Sequence, residues 1–120
     1  MQGANENMAD TLFTKIIDRK IPSDIVYEDD WCIAIKDINP QAPVHLLLIP
    51  KKPIDRLTNA QDEDQMLLGH LLLTAAKVAR QLDIDDSFRL VVNNGENAGQ
   101  TVFHLHLHLL AGRPFRWPPG

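Results

Sequence analysis

The chain has 120 residues, 44% hydrophobic and 23% charged, with a formal net charge of −4. That size supports one domain with a modest core. The acidic balance speaks against a nucleic-acid scaffold, which would carry a basic face, and no apolar run is long enough to span a bilayer.

The opening MQGANENMAD lacks the basic and apolar stretches of a secretory leader and reads as a disordered polar tail over residues 1–10. From Thr11 to Asp18, Leu12, Phe13, Ile16 and Ile17 recur at helical spacing behind candidate caps Asp10 and Thr11, and Pro22 stops the helix. Asp24–Tyr27 and Cys32–Lys36 flank the acidic turn Glu28-Asp29-Asp30 and predict a hairpin. Cys32 is the single cysteine, so no intrachain disulfide forms and a reducing cytoplasm is the expected setting. A loop over Asp37 to Pro43 leads into a nearly continuous apolar strand, Val44–Ile49, whose one polar residue is His45. Lys51-Lys52 reads as a solvated loop.

Asp62–Leu82 is the longest predicted helix, with Thr58 or Asn59 as cap and Asp62, Glu63 and Asp64 at the positive end of its dipole. Met66, Leu67, Leu71, Leu72, Ala75, Val78, Ala79 and Leu82 form its expected buried face, with His70 structural or on the surface. Ser87–Val92 predicts a strand, Asn93–Gly99 a Gly/Asn loop, and Thr101–Leu110 a final strand. The order of helix, strands, helix, strands indicates an α+β fold with an antiparallel sheet.

That last strand carries His104-Leu105-His106-Leu107-His108-Leu109. On an extended backbone the imidazoles share one face, about 6–7 Å apart, while the leucines point into a core. Burying three imidazoles costs desolvation without an evident packing gain, so the row points to chemistry. Each group titrates near neutrality, which suits proton transfer, nucleophilic attack or metal binding. Neighbouring rings disfavour one another's protonation, which helps keep a central nucleophile neutral. A single metal ion is a poor fit, because the outer two rings would stand about 13 Å apart on a regular strand. The loop from Asn93 to Thr101, with two glycines, is suited to bring backbone N–H groups against a phosphate or ribose.

His104, His106 and His108, followed by Leu109 and Leu110, match the signature of the histidine triad (HIT) superfamily. Phe13–Ile21, the run from Asp37 to His45, Ile49-Pro50-Lys51-Lys52 and the ending Trp117-Pro118-Pro119-Gly120 resemble its Hint branch, the purine nucleoside phosphoramidases. The resemblance covers about Leu12 to Gly120. It implies a five-stranded antiparallel sheet with two helices, one HIT domain over residues 11–120, and a homodimer whose sheets join. Residues 111–120, with Trp117, would form a dimer-interface segment.

The resemblance also implies hydrolysis of the P–N bond of a purine nucleoside 5′-phosphoramidate, and possible action on aminoacyl-adenylates. His106 would be the nucleophile and His108 a donor to a non-bridging phosphate oxygen, with His104 and His45 ordering the site and handling protons. Substrate would be held by Phe13, Ile16, Ile21 and Ile38 around the base, Asp37 on the ribose, and Asn93, Gly99, Gln100 and Thr101 near ribose or phosphate. Thr101 stands where the branch commonly has serine, and Pro53 where some relatives carry a further histidine. No metal or other cofactor is implied, nor a nucleic-acid or membrane partner. The alternatives are dinucleoside polyphosphate hydrolysis or nucleotidyl transfer, and a nucleotide- or zinc-binding module with little turnover.

Overall fold

A computed structural model describes residues 10–120; the expected disordered tail lies, but for Asp10, outside them. The elements are α1 (Leu12–Ile17), β1 (Ile25–Glu28), β2 (Cys32–Lys36), β3 (Val44–Pro50), α2 (Gln65–Gln81), β4 (Phe88–Val91) and β5 (Leu107–Ala111). Short 3-10 turns occupy Leu57–Asn59, Asp62–Asp64 and Glu96–Ala98. The five strands form one antiparallel sheet in the order β1-β2-β3-β5-β4, as expected for the family fold. No helix among the described residues is long and apolar enough to cross a membrane.

Strand alternation divides the core into two layers. Cys32, Ala34, Leu46, Leu48, Leu107, Leu109 and Ala111 face α2, which contributes Leu71, Ala75 and Val78. Ile33, Ile35, Leu47 and Ile49 point to the opposite face, where Phe13 and Ile16 of α1 cover them. Burial on both faces explains why Val44–Ile49 reads as a continuous apolar run. The Cys32 thiol, wholly buried, is pushed up to about 11 by desolvation, so it stays protonated.

Thr11 caps α1: its Oγ1 accepts from Thr14 N–H at 3.3 Å, and Thr14 Oγ1 accepts from Thr11 N–H at 2.8 Å. The entry to α2 differs from expectation. Neither Thr58 nor Asn59 caps it; Gln61 opens the preceding 3-10 turn, its N–H donating to Asp64 Oδ2 at 2.8 Å. Asp64 Oδ1 is held by Lys52 Nζ at 2.6 Å and Lys51 Nζ lies 2.9 Å from Glu28, so the two lysines are tied into ion pairs. The buried face of α2 is narrower than its apolar content suggests. Leu71, Thr74, Ala75, Val78 and Ala79 are buried, whereas Met66, Leu72 and Leu82 lie exposed, as does Leu73. A helix on one sheet hides only the stripe that faces it.

His70 is structural. Its Nε2–H donates to Asp29 Oδ2 at 2.7 Å, and Asp29 Oδ1 accepts from the N–H groups of Trp31 and Cys32, closing the β1–β2 turn. These bonds hold the Asp29 carboxyl well below the usual carboxylate range, against the opposing effect of its burial.

Candidate active site

The histidines do not all sit on a strand. β5 begins only at Leu107, so His104 and His106 precede it in an irregular segment. The cause is Pro50. Pairing runs from Val44↔Ala111 to Leu48↔Leu107, and continuing it would set Leu105 against Pro50, which has no N–H to donate. Leu105 N–H turns instead to the Ile54 carbonyl at 2.6 Å.

Ring protons follow from the partners. His104 Nε2–H donates to the Pro50 carbonyl at 2.6 Å, anchoring the segment, and its Nδ1 is buried without a partner. His106 Nδ1–H donates to the His104 carbonyl at 2.7 Å, which leaves Nε2 with its lone pair. Phe13 meets the His106 ring edge-on, with centroids 4.9 Å apart. Gln41 N–H donates to His45 Nδ1 at 3.0 Å, so the proton of neutral His45 sits on Nε2, facing His108 Nδ1 at 2.9 Å. His108 therefore presents Nε2–H as a donor. The His106 and His108 ring centroids are 5.1 Å apart.

Burial lowers the proton affinity of His104 and His106, in each case against a hydrogen bond that favours the charged ring. Burial, followed by the neighbouring His106 and His45, pushes His108 down to about 4. All three stay neutral at pH 7. The unfolded chain binds protons at these rings near 6.5, so it holds more protons than the fold below that pH. Their contribution to stability is fully present above pH 6.5 and is lost as pH falls toward about 4. The melting temperature is accordingly expected to drop between pH 6.5 and 4; a melt series showing no decline there contradicts the buried neutral arrangement.

Two cavities meet at His108. One, of about 240 Å³, is lined by Phe13, Ile16, Ile21, Asp37, Ile38, Thr101, His106 and His108, together with Val102, Ser23 and Lys36 at its wall. Eight of the residues singled out in the sequence thus converge on one slot, apolar at the α1 end and polar at the histidines. Ile38 stands on its rim, 95% exposed. The second cavity, of about 490 Å³, contains His45, Asn93 and His108 and is flanked by the C-terminal segment.

The remaining residues lie differently. His104 is 1% exposed and lines neither cavity; its ring holds the backbone through the Pro50 carbonyl. Gln100, expected near ribose or phosphate, faces inward with its side chain. Its side chain is buried and used internally: Oε1 accepts from Gly95 N–H at 2.8 Å, and Nε2 donates to the carbonyls of Asp55 and Val102. It braces the Gly/Asn loop. Gly99 shapes that loop with φ +97°, a conformation side chains resist. Trp117 is 82% exposed, while Phe115 beside it packs between the guanidinium groups of Arg89 and Arg113. Gln41 was not singled out individually. It acts on His45 through its backbone N–H, a group every residue but proline carries, so no side-chain signal could have found it.

The donor groups do not fit a metal centre. Among the described residues, Asp37, His45 and His108 offer atoms within 4.8 Å of one another, as do Asp29, Cys32 and His70. In the first set both His45 nitrogens are engaged, and neither His104 nor His106 belongs to it. In the second, Asp29 already accepts four hydrogen bonds, one of them from His70, and the Cys32 thiol is buried against Thr74 Oγ1 at 3.9 Å.

The HIT domain family matches residues 18–115. The chain is 68% identical over 111 residues to an uncharacterised HIT-like protein of Synechocystis sp., covering 92% of this chain and 97% of that one. It is 50% identical over 113 residues to the 14 kDa zinc-binding protein of Brassica juncea, covering 92% and 100%. Among solved structures, a HIT family hydrolase from Legionella pneumophila superposes with a TM-score of 0.90 at 46% identity, covering 92% of this chain and 100% of that one. Another, from Clostridium thermocellum, gives 0.86 at 47% identity, covering 89% and 94%. With the family's domain matched across most of its length and the triad in place, this chain belongs to the HIT family.

Proposed function

We propose that this protein hydrolyses the P–N bond of purine nucleoside 5′-phosphoramidates, with aminoacyl-adenylates as a second substrate class, releasing AMP or GMP. The observation that carries this reading is the free Nε2 lone pair of neutral His106, facing a nucleoside-sized slot beside the donor His108. The purine lies against Phe13, Ile16, Ile21 and Ile38, and Asp37 accepts from the ribose hydroxyls. Thr101, Asn93 and the backbone at Gly99 bind near the phosphate and ribose. Burial and stacking hold a flat base but separate adenine from guanine weakly.

His106 Nε2 attacks phosphorus in line, forming an N–P bond as the bond to the amine breaks. The amine nitrogen keeps that electron pair and takes a proton from solvent. His108 Nε2–H donates to a non-bridging oxygen, where charge accumulates. Water then attacks phosphorus, the lone pair returns to His106, and the surplus proton leaves to solvent. No step uses a metal.

We further read the working form as a homodimer joined at β4. Among the described residues the sheet has two free edges, and β1 carries a register shift between Ile25 and Tyr27 that discourages pairing, whereas β4 is regular. Exposed Leu72, Leu73, Val92 and Trp117 supply apolar surface for a partner. A reducing cytoplasm suits the free, buried Cys32.

The test is incubation with adenosine 5′-phosphoramidate in the presence of a strong chelator, following AMP and free amine, with diadenosine polyphosphates in parallel. Turnover of the phosphoramidate with the chelator present is expected. A requirement for added zinc, or faster cleavage of the polyphosphate, overturns the assignment.

A further inference from the structure

β2 ends at Lys36, yet Asp37 extends its pairing with β3 by donating its N–H to the His45 carbonyl at 2.9 Å. By strand alternation the Asp37 side chain takes the face of Ile35, the face that also carries His45 and Leu47. The Asn39 N–H donates to Asp37 Oδ1 at 2.8 Å and fixes the carboxylate, which sets Oδ2 3.4 Å from His45 Nε2. The His45 Nε2–H thus lies between that oxygen and His108 Nδ1, the latter at 2.9 Å. Among the described residues lining the nucleoside slot, Asp37 is the one carboxylate.

This carboxylate lacks a counter-charge. Its side chain is 19% exposed, and among the described residues no lysine or arginine pairs with it. Lys36, also at the slot wall, is paired with Asp24 at 3.5 Å. Imidazoles face Asp37 instead: His45, then His108 with a nitrogen within 4.8 Å, and His106 next to His108. Burial lowers the proton affinity of His106 and His108, and the charge of Asp37 acts on both in the opposite sense. Holding a partly buried charge without a counter-ion is costly, and in this slot it also repels an anionic phosphate. Both effects are offset if positive charge appears beside it during the reaction.

Such charge appears on His106. Its Nδ1–H donates to the His104 carbonyl, which accepts the hydrogen bond but does not take the proton. Attack through Nε2 therefore leaves the nucleotidyl-bearing ring as an imidazolium. His108 gains positive character as well, as its Nε2–H polarises toward the phosphate oxygen. We propose that Asp37, besides binding ribose, is a fixed counter-charge for the transition state: its carboxylate stabilises the positive charge that builds on His106 as the N–P bond forms, and that on His108 by way of the His45 N–H. This rests on the phosphoramidase reading and adds a second catalytic role to one of its residues. The bonds made and broken are unchanged, and Asp37 takes up no proton.

Two substrates separate this role from ribose binding: adenosine 5′-phosphoramidate and its 2′,3′-dideoxy counterpart, which has no hydroxyl for Asp37 to bind. Asp37→Asn keeps an acceptor for the Asn39 N–H and removes the charge. On the dideoxy compound, the full-length variant is expected to release amine about tenfold more slowly in saturating single turnover, with half-saturation unchanged or at lower concentration. On the ribosyl compound the half-saturation concentration should rise as well. Equal rates for native protein and variant on the dideoxy compound overturn the proposal and leave Asp37 a ribose ligand only. NMR titration of the substrate-free protein reads the same charge without turnover. His106 is expected to take its proton at lower pH in Asp37→Asn than in the native protein, and an unchanged titration overturns the proposal. Native protein that releases no amine from either compound sinks the phosphoramidase reading; a lowered His106 titration then still upholds the action of the Asp37 charge on that ring.

Discussion

Replacing His106 with asparagine is expected to lower kcat for an adenosine phosphoramidate by at least about a thousandfold with little change in KM. The asparagine amide still offers an N–H toward the His104 carbonyl, the bond that His106 Nδ1–H makes at 2.7 Å, so the irregular segment keeps its anchor. What disappears is the ring nitrogen with a free lone pair. Residual rate comes from His108 and from substrate binding, which is why the effect falls on kcat. Mass spectrometry of the native protein quenched during turnover is expected to find a nucleotide on His106, and the variant should carry none. A variant retaining more than a tenth of the native kcat excludes His106 as nucleophile. The acid side of the native rate profile should have its midpoint below pH 6.5, because burial lowers the proton affinity of this ring.

The second large effect is on stability. Leu109→Ala is expected to cost about 3 kcal/mol, within the range of about 2–5 kcal/mol for buried leucines truncated in a packed core. Leu109 is fully buried, set between Leu46 of β3 and Leu90 of β4 and facing α2. No partner can fill the gap without moving a strand. Such a loss is a sizeable part of the roughly 5–15 kcal/mol that holds a small protein folded. Urea denaturation should show a lower midpoint at unchanged slope. The change also loosens the strand that carries His108, so activity should fall faster on warming than in the native protein. A loss under about 1 kcal/mol contradicts the packing described for β5.

Much of the fold is legible because burial imposes period. The apolar runs Cys32–Lys36 and Val44–Ile49 predict strands, and strands are found at Cys32–Lys36 and Val44–Pro50, buried along nearly their whole length. The long helix is equally plain, yet its buried stripe is not, since apolar Met66, Leu72 and Leu73 look outward. Apolar content does not distinguish a face packed on the sheet from one left open at the surface. The histidine row reads as strand throughout, and Pro50 on the neighbouring strand prevents that for His104 and His106. Such a veto depends on register, which no local window contains. Gln100 reads as a rim residue because it lies in a polar loop; its three internal hydrogen bonds become visible only when Asp55 and Val102 are brought beside it.

By itself, then, the amino-acid order determined the alternating layers, the antiparallel α+β architecture, the family and the cluster of imidazoles, all of which live in side-chain type and spacing. Tertiary structure alone decided which nitrogen of each ring keeps its lone pair, which histidine anchors the chain, and how the Asp37 carboxylate is held toward the rings. Those outcomes are set by the His104 and Pro50 carbonyls and the N–H groups of Asp37, Asn39 and Gln41. Peptide groups are nearly identical at every position, so the hydrogen bonds they make leave no mark on the sequence until the chain is folded.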